Sequence, residues 1–445
     1  MKKVRIVLSV VFVLTLIGSW GITVKNNVTA KQNYKQNISD GDKWTKNKLY
    51  DRAIDEYEEA LNYKDTNEVW EKLLNAYKKR CEDQDVYGYS AVEEYVEKLK
   101  EAVKKDKKNE KRIIELAQIY IKEEAYESAY KCLNNAYKNG AKSKKIEELI
   151  TKVKYAYDLQ SNGYDSFYQC DNGKYVVKSQ NLWGIINKDG QSTTDLKYQY
   201  ISIIGEKNMR VKTINDESRL YNSDGKVLGI FDFAVMDAGK YSEGLIPIKK
   251  DEKYAYYDST GKMKFGEYDI AGTFKDGTAA VREGEKWKII DEYGKVKKAP
   301  DWEEVKLNSQ GYYIYDDIIV AKTNEKYEMY NSKFKKIGNF KCDEFGNITD
   351  DGVFAFKQDD KWGFVNTEGK VVIKPEYDDA RSFSNGLAAV CKNGKWGFIT
   401  GKNKLVIDYT FDDADYFNEN GVCFVKDNNP YDELGYSWVI LKLKI

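Results

Sequence analysis

KWGFVNTEGKVVIKPEYDDARSFSNGLAAVCKNG (361–394) runs directly into KWGFITGKNKLVIDYTFDDADYFNENGVCFVKD (395–427). The two stretches align throughout, with Trp362 and Trp396 34 residues apart. A fixed period of this length marks a repeat architecture. Sliding the frame along the chain places Trp183, Ser218, Tyr254, Trp287, Tyr327, Trp362, Trp396 and Trp438 at one repeat position, at spacings of 33 to 42. Each unit reads as β-structure. GLAAVCK alternates small and apolar residues as a strand does, and Asn393-Gly394 supplies the two positive-φ residues of a tight hairpin. KWGFIT is the return strand. A turn follows with Asn or Asp first and Gly fourth: Asn187 to Gly190, Asn222 to Gly225, Asp258 to Gly261, Asp291 to Gly294 and Asn366 to Gly369. The Asx side chain caps such a turn and glycine closes it. GKVVI is a third strand and YDDARSF a short fourth.

On these motifs the array, residues 164–445, resembles the WG-repeat family, named for its recurrent KWGFI-type strand. The resemblance is strongest at Trp362-Gly363, Trp396-Gly397 and Trp183-Gly184. Arg219, Ala255, Lys288, Glu328 and Val439 replace the glycine elsewhere, so the close contact it allows must be relaxed or solvent-facing there. The resemblance implies a repeat scaffold and brings no catalytic residues. Three or four short strands per ~35 residues is the arithmetic of a propeller blade. The chain shows one fewer GKVVI-type strand than GLAAV-type strands and ends inside WVILKLKI, as a ring completed from both termini would. A closed β-propeller of seven to eight blades is therefore preferred; the alternative is an open β-solenoid. Closure removes the sheet edges that invite aggregation.

Residues 32–160 have helical period and no proline. LAQIYIKEEAYESAYKCLNNA, with Leu116, Ala117, Tyr120, Ala129, Leu133 and Ala136, resembles a tetratricopeptide repeat. So does GDKWTKNKLYDRAIDEYEEAL, with Gly41, Trp44, Ala53, Tyr57 and Ala60. A degenerate unit lies between them, and SKKIEELITKVKYAYDL reads as a capping helix with Ser143 at its N-cap. The resemblance implies a short α-solenoid whose concave face takes a peptide or helix; the plainer alternative is a helical stalk. The Lys104, Lys105, Lys107 and Lys108 cluster reads as a solvated helix end.

Residues 1–30 differ from the rest. Lys2, Lys3 and Arg5 precede an uncharged run from Ile6 to Val24. At ~1.5 Å per residue this helix is long enough for the ~30 Å core of a bilayer. A signal anchor is expected, with a cleaved signal peptide ending near Val28-Thr29-Ala30 as the alternative. Either reading places the remainder outside the bacterial cell membrane. The six cysteines (Cys81, Cys132, Cys170, Cys342, Cys391, Cys423) form no CxxC pair, and are expected to be unpaired small hydrophobes.

The 445 residues carry 72 basic and 72 acidic side chains and no histidine. Zero net charge gives no electrostatic reason to seek nucleic acid. Without histidine there is no Ser-His-Asp triad and no His-ligated zinc. GxSxG and phosphate-loop motifs are missing, and the Asx turns lack the remaining ligands of a calcium loop. No residue is therefore assigned to catalysis, a cofactor or a metal. Asp378-Asp379 and Asp412-Asp413 recur at one repeat position, which argues for a structural role, since an active site breaks repeat symmetry. The repeated Trp and Tyr are expected to be core between blades. The reading is a non-enzymatic scaffold binding protein partners at the cell envelope. Alternatives are a cell-wall carbohydrate-binding protein, stacking sugars on its aromatics, and a glycan-active propeller enzyme using two carboxylates.

Overall fold

The computed structural model describes residues 28–83, 89–160, 162–170, 174–205, 209–222, 224–427 and 437–445. They form two compact units, divided between Lys154 and Tyr155. The expected membrane helix at Ile6–Val24 lies outside the described residues. Among those described, no helix is long and apolar enough to cross a membrane.

The first unit is a succession of helices. α1 covers 28–46 of the described residues; α2 is Tyr50–Tyr63, α3 Asn67–Glu82, α4 Tyr89–Lys105, α5 Glu110–Lys122, α6 Tyr126–Lys138 and α7 Lys144–Lys154. Their starts follow local chemistry. The side chains of Thr66, Asn109 and Ser143 accept from the N–H of Val69, Arg112 and Ile146, satisfying amides the helix cannot. The small residues read from sequence sit where helices meet: Ala53, Ala60, Ala117 and Ala129 are fully buried. A Cβ on Gly41 would stand 2.5 Å from the Tyr57 ring, so a bare backbone lets α1 rest on α2.

Ion pairs then tie one helix pair to the next. Lys72 of α3 reaches Asp42 of α1 at 2.6 Å, and Arg80 of α3 joins Asp51 of α2 and Glu94 of α4. Arg112 of α5 is 1% exposed, and its guanidinium donates to Glu71 Oε1 at 3.1 Å, Asn67 Oδ1 at 3.2 Å and the Asn67 carbonyl at 3.2 Å. Burying a guanidinium is tolerable only with such a set of partners. Lys104, Lys105, Lys107 and Lys108 are exposed at and beyond the end of α4, as expected. The last helix is shorter than the sequence reading: it stops at Lys154, and Tyr157–Leu159 is a β-strand of the second unit.

The second unit is an eight-bladed β-propeller, each blade a four-stranded antiparallel sheet. In chain order blades 1 to 7 occupy 166–198, 200–231, 237–268, 270–298, 304–342, 344–377 and 379–411. Blade 8 takes three strands from 413–443 and its outermost from Tyr157–Leu159, which pairs antiparallel with Leu441–Leu443. This is the closure from both ends that the strand count implied, and it excludes the open solenoid. The propeller thus starts at Tyr155 rather than at 164, because the missing outer strand lies upstream of the first repeat.

Eight apolar clusters fill the eight gaps between neighbouring blades. The ring closes through Val422, Phe424 and Ile440 of blade 8 packed on Tyr175, Val177 and Ile186 of blade 1. The second and third strands of each blade are the buried ones; Leu387–Cys391 and Trp396–Ile399 are buried without interruption. The repeated aromatics belong to these layers. Trp396 is 5% exposed and packs toward blade 8, and Trp287 is 1% exposed and packs toward blade 5.

Candidate functional site

Recurring polar residues hold the blades. Asn187, Asn222, Asp258, Asp291 and Asn366 each accept, through one side-chain oxygen, the N–H groups two and four residues on. The fourth-position glycines have φ between 75° and 83°. The oxygens a calcium ion would need are spent on the turn. Asp378 accepts from Lys361 Nζ of the preceding blade at 2.5 Å and from the Asn393 N–H of its own hairpin at 2.6 Å. Asp269 and Asp343 do the same with Lys253 and Gly284, and with Lys326 and Asp359. Lys361 beside Asp378 holds that carboxyl below the ordinary value. The recurrent aspartate is a staple between blades, in keeping with its periodicity.

The aromatic position has its own arrangement. A basic residue on the second strand stands directly opposite it: Lys178 to Trp183, Lys249 to Tyr254, Lys322 to Tyr327, Lys357 to Trp362 and Lys426 to Trp438. In several blades the ammonium lies over the ring, at 5.0 Å for Lys426 on Trp438. Blade 2 has no aromatic at this position, and its Thr213 and Ser218 share a buried hydrogen bond of 2.8 Å instead. In blade 7 the opposing residue is Cys391. There Arg381 supplies the cation, 4.5 Å from the Trp396 ring, while pairing with Asp379 and with Asp413 of blade 8 at 3.3 Å.

The segments joining the first and second strands also vary from blade to blade. From several blades these segments converge on one cavity of about 660 Å³. Residues from blades 1, 3, 5, 6, 7 and 8 contribute, among them Tyr168, Lys240, Tyr315, Asp350, Asp415 and Glu419. Only a space near the ring axis can be reached from so many blades. Directly after the first strand, blades 3, 4 and 6 carry Gly239, Gly272 and Gly346, whose N–H groups bond Pro247, Ala280 and Ala355. The same bond is made in blades 5, 7 and 8 by the N–H groups of Lys306, Arg381 and Asp415 to Val320, Ala389 and Phe424. The position is therefore bare in three blades, basic in two, and in blade 8 carries the carboxylate of Asp415.

Much of the remaining polar lining is committed to structure. Asn308 Oδ1 accepts the N–H groups of Gln310 and Tyr312. Asn418 Oδ1 accepts those of Asn420 and Val422, and its amide donates to Tyr175 across the ring closure. Ser384 Oγ donates to the Phe417 carbonyl at 2.7 Å and Thr349 Oγ1 to the Phe383 carbonyl at 2.6 Å. The Tyr315 hydroxyl is tied to Asp350, which pushes it up to about 12. Asp415 differs. Among the described residues its carboxylate accepts no side-chain hydrogen bond, and burial raises it to about 6 despite the Tyr416 N–H and the nearby Arg381. No group of three His, Cys, Asp or Glu among the described residues is arranged to hold a metal ion.

The five cysteines whose side chains are described are unpaired, as expected. Burial pushes the Cys132 thiol up to about 11 and Cys342 to about 12, so both stay protonated and unreactive near neutrality. The sequence reading had no means to single out Asp415. It lies three residues past Asp412, and only the strand pairing shows that its counterparts are Gly239, Gly272, Lys306, Gly346 and Arg381.

The family model described as WG containing repeat matches residues 255–287, 362–396 and 396–431. No curated protein sequence matches this chain. Solved structures with a similar course of chain include Kluyveromyces lactis Hsv2, at 9% identity and TM-score 0.36, covering 64% of this chain and 98% of that one. PorZ of the type-IX secretion system of Porphyromonas gingivalis is 8% identical at TM-score 0.36, covering 62% of this chain and 43% of that one. A eukaryotic initiation factor is 8% identical at TM-score 0.40, covering 58% and 79%.

Proposed function

We propose that this protein is a non-enzymatic scaffold that binds protein partners through its helical and β repeats, anchored by its amino terminus outside the bacterial cell membrane. The observation that carries the reading is the division of labour among polar residues. Those that obey the repeat are consumed in turns, blade staples and helix-to-helix ion pairs, while the polar groups left over face an open cavity and the outer surfaces. That is the layout of a recognition surface on a rigid frame. The export and anchor part of the proposal rests on Lys2, Lys3, Arg5 and the apolar run Ile6–Val24. The helical unit, with the small-residue spacing of tetratricopeptide repeats, is the second docking surface.

The test is affinity capture with the full-length protein from a bacterial envelope extract. The reading expects at least one protein recovered reproducibly and not by a β-propeller of unrelated sequence. Recovery of none would overturn it. A cell-wall glycan is the second reading, favoured by the amides and the half-exposed Tyr168 beside the cavity. It predicts instead that the protein pellets with purified peptidoglycan and stays there in moderate salt, because a neutral protein would hold sugar by stacking.

A further inference from the structure

The geometry points to the central cavity as a receptor for a cationic side chain, a lysine presented by a peptide segment of the protein partner. This rests on the scaffold reading above and gives it a chemistry.

Three features of the cavity converge. Its size, about 660 Å³, is in the ~300–1,000 Å³ range of sites that enclose a small group. Its charged lining is three carboxylates, Asp350, Asp415 and Glu419, against one ammonium, Lys240. Aromatic rings border it too: Phe167, Tyr168, Tyr315 and Tyr416, and ring faces attract cations. Of the amides that could read the hydroxyls of a sugar, Asn308 and Asn418 brace their own loops. Two carboxylates of the lining, Asp415 and Glu419, have no side-chain hydrogen bond among the described residues; that of Asp415 accepts the Tyr416 N–H, and its surroundings disfavour its charge. Enclosing such a charge is unfavourable unless an opposite charge compensates it. An ammonium brings that opposite charge and further donors.

The groups around Asp415 decide how binding follows pH. Arg381 from blade 7 favours its charge; Asp413 on its own blade opposes it. Cys423 donates to the Asp415 carbonyl at 3.1 Å and is held protonated by burial. Tyr416 beside it is likewise kept neutral by burial. Asp415 itself is raised by burial to about 6. Cation binding is therefore present above that pH and falls below it.

The experiment is calorimetric titration of the full-length protein with acetyl-Gly-Gly-Lys-Gly-Gly-amide, its glutamine counterpart, and the hexamer of N-acetylglucosamine. We expect saturable one-to-one binding of the lysine peptide and at least about tenfold weaker binding of the glutamine peptide. Between pH 7.5 and 5.0 the lysine peptide loses several-fold, since about one Asp415 carboxyl in ten stays ionised a unit below its pKa. Asp415→Asn and Glu419→Gln each weaken it, Asp415→Asn by about tenfold or more. Asp360→Asn, at a carboxylate whose side chain is 99% exposed, leaves it unchanged. Equal binding of the glutamine peptide, undiminished binding by Asp415→Asn, or binding of the glycan hexamer that Asp415→Asn abolishes would each overturn the inference. Failure of the lysine peptide alongside successful capture of a protein partner removes this inference and leaves the scaffold reading standing.

Discussion

Blades 7 and 5 solve one packing problem in opposite ways. After Trp396 comes Gly397, and a Cβ there would stand 2.6 Å from the Ile407 carbonyl. The outer strand bulges between Trp396 and Phe398 and presses its backbone onto the bare glycine. After Tyr327 comes Glu328, whose side chain is only 3% exposed. Its carboxylate is met by Lys336 at 2.7 Å, Lys341 at 2.8 Å and the Tyr330 hydroxyl at 2.8 Å. Glu328 and Lys341 stand opposite each other on adjacent strands. One blade closes by removing a side chain; the other closes by burying a charge and satisfying it. The repeat specifies a gap to be filled rather than a particular residue, so the motif can erode while the blade persists.

The comparison breaks most readily at the glycine. Gly397→Val forces the Ile407 carbonyl away and should cost about 3 kcal/mol, the upper part of the usual overpacking range. Thermal unfolding would read it as a lowered Tm. In blade 5 the same position is governed by charge. Glu328→Gln keeps the shape but loses the ionic partners, and about 2 kcal/mol is expected from urea unfolding at pH 7. Burial alone would raise this carboxyl, yet Lys336, Lys341 and Tyr330 hold it at about 2, against an ordinary 4.5. Its stabilisation is therefore complete above about pH 4.5 and is lost as the pH falls toward 2. The Gln variant should lack that acid-dependent part. Blade 2 offers the mildest case. Ser218→Ala leaves the Val235 N–H, now 2.7 Å from Ser218 Oγ, without its acceptor. About 1 kcal/mol is expected, and faster hydrogen exchange at Val235 would check it.

The fold was legible because its determinants are local and repeated. The Asn393-Gly394 hairpin, the Asx turns and the apolar second strands each announce themselves within a few residues, and their period gave the ring. The upstream strand Tyr157–Leu159 was not legible. It continues a helical sequence without a break, and three residues carry no period; only its pairing with Leu441–Leu443 defines it. The structural reading of Asp378 was sound because the residue recurs. Asp415 shows the converse. Its meaning lies in how its position varies among the blades, from glycine to Lys306 and Arg381, and that variation is visible only once first strands of two residues have been placed.

The central claim is that residues packed within and between the blades build the molecule, while Asp415 at the central cavity binds the partner. One paired measurement tests it: Tm and lysine-peptide affinity, at pH 7.5, for the wild type, Glu328→Gln and Asp415→Asn. The account predicts that Glu328→Gln lowers Tm and keeps the affinity. Asp415→Asn should keep or raise Tm, because it removes a charge that burial disfavours, while the affinity drops about tenfold or more. Peptide binding by Asp415→Asn at wild-type strength, or lost equally in both variants, would contradict it.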